Sequence, residues 1–158
     1  MELHVVFSLV TPSDNLLQPQ AFLKQFEFAN DYERQYGRQI SKQALAKKNR
    51  IYMLGDELKT SFGFVALSVG SIHNIPPCII IDYLFTSLPY RNTVFTELNG
   101  CKISQSLIGS AMKIAREVNK HVPIHYLALQ PAHEKLERYY TDLGFTHLHH
   151  REWMFLKI

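Results

Sequence analysis

The sequence predicts an α/β fold with a central twisted mixed β-sheet of about six to seven strands and helices on both faces. Three observations predict it. Cys78–Thr86 is a near-continuous apolar run, which is typical of a central strand covered on both faces. Apolar residues at helical spacing follow in Ile103–Val118, and Ile124–Leu129 is a second strand-like run. This order indicates a β-α-β crossover, hence two parallel strands joined by a right-handed connection.

The remaining segments complete the sheet. Two apolar segments around Gly55-Asp56 predict an antiparallel hairpin, which makes the sheet mixed. The candidates in chain order are a strand at Leu3–Val10, a turn at Thr11–Asn15, helix-spaced residues in Leu16–Phe28, a partly helical polar segment at Asn30–Asn49, the hairpin of Ile51–Leu54 and Ser61–Val69, a loop at Leu88–Asn99 and a last strand at Glu152–Ile158.

The segment Ile124–Phe145 is the most informative part of the chain. After its strand and Pro131, apolar residues recur at i, i+3, i+4 and i+7, and Gly144 stops the pattern. If Gly144 takes the left-handed conformation just past the helix end, Phe145 packs on Tyr140. The pattern therefore predicts a short helix that holds one phenol in a defined place.

Length and composition indicate an ordinary globular protein. A chain of 158 residues, 46% hydrophobic and 20% charged, predicts a single domain over residues 1–158. The net charge of +3 permits a phosphate-bearing or acidic ligand without requiring nucleic acid.

Cysteine usage and hydropathy suggest the compartment. Cys78 and Cys101 form neither a disulfide framework nor a metal quartet, a pattern that suits a reducing compartment. The first residues lack a positively charged leader, and no apolar run reaches membrane-spanning length. We therefore expect a soluble cytoplasmic protein with no membrane partner.

The approach to the Ile103 helix is a candidate phosphate site. Ligands bind outside the carboxyl ends of parallel strands, and a helix N-terminus offers free N–H groups to phosphate. Gly100 permits close backbone approach, Lys102 adds charge and Ser104 adds a hydroxyl. The alternative is a polar loop in which Ser104 only caps the helix.

Three motifs resemble the GNAT superfamily, the acetyl-CoA-dependent N-acetyltransferases. Tyr140–Phe145 matches the family's Y-x-x-L-G-F signature, and Leu84–Arg91 resembles its strand end and following loop. Gly100–Ile108 resembles the end of its pyrophosphate loop. Two departures stand out: Asn92–Asn99 looks like an insertion, and Lys102 and Ser104 replace the usual glycine or alanine.

The resemblance implies acetyl-CoA as cosubstrate. In the family, two parallel strands splay apart, and the pantetheine arm bonds the backbone of the first strand. A backbone N–H of that strand also stabilises the oxyanion. The implied cofactor-binding residues are Leu84, Phe85, Thr86, Arg91, Gly100, Lys102, Ile103, Ser104 and His133, the last at a position where the family often has Asn.

The resemblance also implies Tyr140 as the acid that protonates the departing CoA thiolate. Asp82 is the first candidate for the base that deprotonates the amine, because an acid within an apolar strand is conspicuous. The alternative is a buried Asp bonded to a neighbouring loop. Glu97 and His133 are further candidates. We expect no metal site, because His147, His149 and His150 have no supporting ligand except Glu152.

The main functional hypothesis is direct transfer of an acetyl group from acetyl-CoA to a primary amine, on a small molecule or peptide. One alternative is a macromolecule acetylator acting on a protein N-terminus, a lysine or an aminoacyl-tRNA, with docking through Lys47, Lys48 and Arg50. Apart from such a tRNA, we expect no nucleic-acid partner. Another is a non-catalytic CoA-binding domain. Aromatic residues near Trp153 suit a homodimer that shares a strand edge.

Overall fold

The computed structural model describes residues 5–10, 15–57, 60–148 and 151–158. The first two residues of the predicted strand Leu3–Val10, most of the predicted turn Thr11–Asn15, and His149 and His150 lie outside the described residues.

The described chain contains eight strands and four α-helices. Short 3-10 turns at Asn15–Leu17, Leu88–Tyr90 and Thr96–Leu98 connect some of them. The strands are β1 (Val5–Val10), β2 (Arg50–Asp56), β3 (Ser61–Gly70), β4 (Cys78–Thr86), β5 (Val94–Phe95), β6 (Cys101–Lys102), β7 (Tyr126–Leu129) and β8 (Met154–Lys157), and the helices are α1 (Pro19–Lys24), α2 (Asp31–Leu45), α3 (Ile103–Asn119) and α4 (Glu134–Asp142).

Six strands form one mixed sheet in the order β1-β2-β3-β4-β7-β8. β2 and β3 pair antiparallel, as predicted for the hairpin. β4 and β7 pair parallel, with Cys78 opposite Tyr126 and Ile81 opposite Leu129. The predicted mixed α/β sheet and its β-α-β crossover are therefore confirmed. β5 and β6 form a separate two-stranded ribbon; β5 lies inside the expected loop Leu88–Asn99, and β6 follows it.

The ladder between β4 and β7 is shorter than β4 itself. Pairing ends at Ile81 and Leu129, whereas β4 continues to Thr86. Residues 82–86 therefore extend beyond the β4–β7 ladder, and their backbone groups on that side take no bonds from β7.

The described residues up to 67, together with residues 82–109, form one compact unit. Its core is an aromatic cluster in which the Phe64 ring lies 5.0 Å from Phe22, 5.1 Å from Phe26 and 5.3 Å from Phe85, centroid to centroid. Such pairs add stability beyond the apolar area that they bury. The cluster fixes the end of β4 against α1.

Residues 68–81 and the described residues from 110 onward form the second unit. Its core includes Ile72, Cys78, Ala128 and Phe155, all buried. The single domain expected from chain length stays a prediction. No helix in the described ranges is both long and apolar enough to cross a bilayer.

Candidate functional site

The C-terminus of α4 holds Tyr140 in a Schellman motif. Gly144 has a φ of +104°, the Gly144 N–H donates to the Thr141 carbonyl at 2.9 Å, and the Phe145 N–H donates to the Tyr140 carbonyl at 3.0 Å. The Phe145 ring lies 5.8 Å from the Tyr140 ring. The contact predicted from the glycine stop is therefore confirmed.

Tyr140 sits in apolar surroundings that keep its phenol protonated. The side chain is 7% exposed. Burial, followed by the neighbouring Tyr139, raises the pKa of Tyr140 to about 12. The phenol is thus in its acid form throughout the neutral range, which is the form that a proton donor needs.

At the end of β4, the groups expected to contact the cofactor belong to the backbone and not to the side chains. Phe85 is 2% exposed and belongs to the aromatic cluster, whereas Leu84 and Thr86 are half-buried. Gly63 lies beside this segment so closely that a Cβ there would collide with the carbonyl oxygen of Phe85. The glycine permits the close backbone approach that positions Phe85.

Asp82 follows the last β4 residue that pairs with β7. Its carbonyl accepts a hydrogen bond from the Tyr36 hydroxyl at 3.1 Å, and its side chain is half-buried. Burial, then the charge of Asp82 and Tyr32, raises the pKa of Tyr36. The role of Asp82 as general base stays a prediction.

Arg91 is held by protein groups of its own unit. Its Nη1 and Nη2 donate to Glu33 of α2, its Nε donates to the Thr86 carbonyl at 2.8 Å, and its guanidinium lies 5.3 Å from the Phe85 ring centroid. This geometry makes Arg91 a strut between α2 and the end of β4. It differs from the pyrophosphate contact that the resemblance implies.

The segment before α3 is open and left-handed. Asn99 and Gly100 have φ angles of 56° and 76°, and a Cβ on Gly100 would meet nothing within 4 Å. Helix α3 begins at Ile103, so Ser104 is inside the first turn and is not the N-cap. The alternative of a capping Ser104 is therefore wrong.

The sequence reasoning missed the capping role of Gln105. Its Oε1 accepts from the backbone N–H of Lys102 at 2.8 Å. This is half of a capping box, in which a Glu or Gln in the first turn reaches back to the N-cap N–H. The spacing of Gln105 three residues after Lys102 was the available signal. The first N–H groups of an α-helix have no acceptor within the helix itself.

The other two base candidates lie in exposed positions. His133 is the N-cap of α4 and makes no side-chain capping bond, and Glu97 lies in the 3-10 turn before Asn99. His147 contacts the Trp153 carbonyl through Nδ1 at 3.1 Å. Within residues 5–10, 15–57, 60–148 and 151–158, no group of three or more His, Cys, Asp or Glu is placed to hold a metal ion.

Comparison with known proteins identifies the fold. No family profile matches the chain, and no curated protein sequence matches it. Several solved structures do match the chain. AtaT complexed with acetyl-methionyl-tRNAfMet has a TM-score of 0.77 at 17% identity, covering 98% of this chain and 95% of that chain.

Two further structures extend this likeness. AtaTR bound with acetyl-CoA has a TM-score of 0.76 at 18% identity, covering 97% of this chain and 92% of that chain. The KacTA–DNA complex has a TM-score of 0.72 at 16% identity, covering 98% and 93%. At these identities the likeness shows the fold, and the GNAT-like fold implied by the resemblance is confirmed.

Proposed function

We propose that this chain is an acetyltransferase that moves the acetyl group of acetyl-CoA to the α-amine of an aminoacyl-tRNA. The observation that carries the proposal is Tyr140, buried, protonated and fixed by the Schellman motif on a GNAT-like fold. The acceptor follows from the neighbours, which include AtaT complexed with acetyl-methionyl-tRNAfMet. A tRNA acceptor thus has better support than the small amine expected from the sequence.

The β4 strand end is suited to the pantetheine arm. Residues 82–86 run past the β4–β7 ladder, so the backbone groups on that side take no bonds from β7 and would pair with amides of a ligand. The Asp82 and Thr86 carbonyls are held by Tyr36 and Arg91. The N-terminus of α3, with its 17 residues, and the open space at Gly100 suit the CoA diphosphate. Lys102 would contribute the charge of its side chain, Ile103 and Ser104 would contribute backbone N–H groups, and His133 remains a proposed contact.

The transfer follows from these groups. The neutral amine attacks the thioester carbonyl, and a backbone N–H of Phe85 or Thr86 stabilises the oxyanion that forms. The C–S bond then breaks, and the sulfur takes the phenolic proton of Tyr140. Asp82, directly or through water, removes the proton that the amine loses. Desolvation that raises the Tyr140 pKa also raises that of a thiolate leaving in similar surroundings, which keeps the transfer balanced.

The test uses purified protein, radiolabelled acetyl-CoA and either methionyl-tRNA or free methionine amide. We expect acetylation of methionyl-tRNA, with kcat reduced by about 100-fold or more in Tyr140→Phe. Tyr139→Phe is the matched control, because Tyr139 is the adjacent, half-buried tyrosine of the same helix. Its kcat should change by less than about threefold.

The same assay separates the alternatives. Turnover of methionine amide alone, with no labelled tRNA, would refute the tRNA acceptor and restore the small-amine hypothesis. Calorimetric titration with acetyl-CoA that releases no heat and produces no thermal shift would instead indicate a non-catalytic domain.

A further inference from the structure

The segment of residues 34–50 carries an unbroken positive charge. It contains six Lys or Arg residues and no Asp or Glu. We call these six residues the basic row: Arg34, Arg38, Lys42, Lys47, Lys48 and Arg50. Arg38 is half-buried and the other five are exposed. The chain as a whole has a net charge of only +3, so the positive charge is concentrated here.

The first three members form a line along α2. Arg34, Arg38 and Lys42 are spaced by four residues, so each step rises by about 6 Å along the helix axis. The buried face of α2 consists of Gly37, Ile40, Ser41 and Ala44. The line runs beside this face, with Arg38 half-buried, and turns by about 40° at each step, so that Lys42 points furthest from the core.

A second Schellman motif extends the line beyond the helix. The Lys47 N–H donates to the Ala44 carbonyl at 3.0 Å, and the Lys48 N–H donates to the Gln43 carbonyl at 2.9 Å. Lys47 has a φ of 61°, a conformation that glycine usually supplies. A lysine there costs about 1 kcal/mol relative to glycine. The chain thus has a cation at a position where glycine would make the folded state more stable.

The nearby acid does not neutralise the row. Glu33, the last acid before it, is paired with Arg91. Among the described residues, no salt bridge involves a member of the row. The Arg34 guanidinium lies over the Phe28 ring, and Arg50 donates to the Asn49 carbonyl and lies near Tyr52.

The chemistry around the row favours a nucleic-acid backbone. Gln35 and Gln39 are exposed beside it, and Tyr32 is 81% exposed at its start. Lys, Arg, Gln and Tyr are the side chains that contact phosphate and sugar, and an exposed aromatic ring also stacks on a base. An amphipathic membrane helix would instead present a broad apolar face, and α2 presents none outward.

We propose that the basic row is the surface on which the phosphate backbone of the acceptor tRNA docks. This inference rests on the proposed function, since it names where that function's substrate is held. Docking through phosphates supplies affinity and register, while the aminoacyl end is left for the chemistry.

The test measures binding of a labelled, deacylated tRNA transcript by fluorescence anisotropy at several salt concentrations. The first variant is Arg34→Gln/Lys42→Gln/Lys48→Gln; Arg38 is kept because its Nε is buried. We expect Kd to rise by about tenfold or more, and the slope of log K against log salt to fall by about 3. The control is Lys113→Gln/Arg116→Gln/Lys120→Gln, which removes the same charge from two exposed positions of α3 and from the exposed residue just after it and should change the slope by less than about 1.

A second variant separates binding from folding. Lys47→Gly should stabilise the chain, because it removes the left-handed lysine, and should weaken tRNA binding by about two- to fivefold. Greater stability with unchanged tRNA affinity would count against the row, as would a triple variant with wild-type slope. The surface would then serve an acidic protein or no partner.

Failure of the two proposals looks different. If the triple variant loses tRNA affinity and the wild type acetylates no aminoacyl-tRNA, docking on the basic row is supported and the proposed reaction is contradicted. If the wild type and the triple variant acetylate aminoacyl-tRNA with equal KM, the proposed reaction is supported and docking on the basic row is contradicted. Acetyl-CoA binding, measured by calorimetry, should be the same in all variants.

Discussion

The guanidinium of Arg91 meets the carboxylate of Glu33 at two points, with Nη2 2.6 Å from Oε1 and Nη1 3.1 Å from Oε2. The side chains are only 29% and 23% exposed, so solvent screens the pair less than a surface pair. Because Arg91 also holds the Thr86 carbonyl, the pair ties α2 to the end of β4. The helix that carries the basic row and the strand proposed to bind cofactor therefore move together.

We predict that Arg91→Lys lowers the free energy of unfolding by about 2 kcal/mol. Lysine keeps the positive charge but cannot make the two parallel hydrogen bonds of the guanidinium. Urea denaturation measures it. Arg116→Lys, at an exposed position of α3, should change the stability by less than about 0.5 kcal/mol. Equal effects of the two substitutions would mean that the strut adds nothing.

The pair also predicts how stability depends on pH. Burial by itself would raise the pKa of Glu33, but the hydrogen bonds from Arg91 and Ala29 and the Arg91 charge lower it overall. A depressed carboxyl pKa contributes stability that is present above the unfolded value of 4.5 and is lost as pH falls through the lower folded value. Glu33→Gln should therefore lose less stability than wild type between neutral pH and acid. Parallel stability curves for the two proteins would contradict this.

Gly144 is predicted to be intolerant of a side chain. Its φ of +104° disfavours other residues, and a Cβ there would lie 3.2 Å from Leu156 Cδ1. Gly144→Ala should cost about 2 kcal/mol and lower kcat by shifting Tyr140. Gly109→Ala is the matched control: that glycine lies inside α3 with nothing within 4 Å of a Cβ, so alanine should be neutral or stabilise by up to about 1 kcal/mol. Denaturant unfolding of both variants measures these two changes in the free energy of unfolding.

The Tyr140 pKa of about 12 predicts the alkaline side of the pH–rate profile. Because the pKa of Tyr140 is raised, the phenol keeps its proton at every pH below the pKa of the folded protein and loses it only above that pH. Turnover should therefore rise with pH as the amine deprotonates and should not decline through loss of the Tyr140 proton below about pH 11. Steady-state kcat between pH 6 and about 10.5 tests this. A decline near pH 8 that disappears in Tyr140→Phe would overturn the assignment of an acid with this pKa.

Much of the fold was predictable because it follows from local patterns. The apolar run of β4, the helical spacing of α3 and the glycine stop of α4 each encode their element directly, so the parallel pairing of β4 with β7 and the Tyr140–Phe145 contact could be predicted. The strut of Arg91 could not, because Glu33 is 58 residues away and only tertiary packing brings the two together. The ribbon of β5 and β6 was missed because two-residue strands carry no periodicity.

The cysteines have a practical consequence for experiments. Cys78 is fully buried, its Sγ–H donates to the Pro76 carbonyl at 3.1 Å, and burial raises the pKa of its thiol. Cys101 is half-exposed, one residue after the open glycine that precedes α3. Because alkylation requires an accessible thiolate, a maleimide dye should attach to Cys101 alone in the folded wild-type chain. The protein thus carries its own single reporter position beside the proposed diphosphate site, and no cysteine has to be removed to use it.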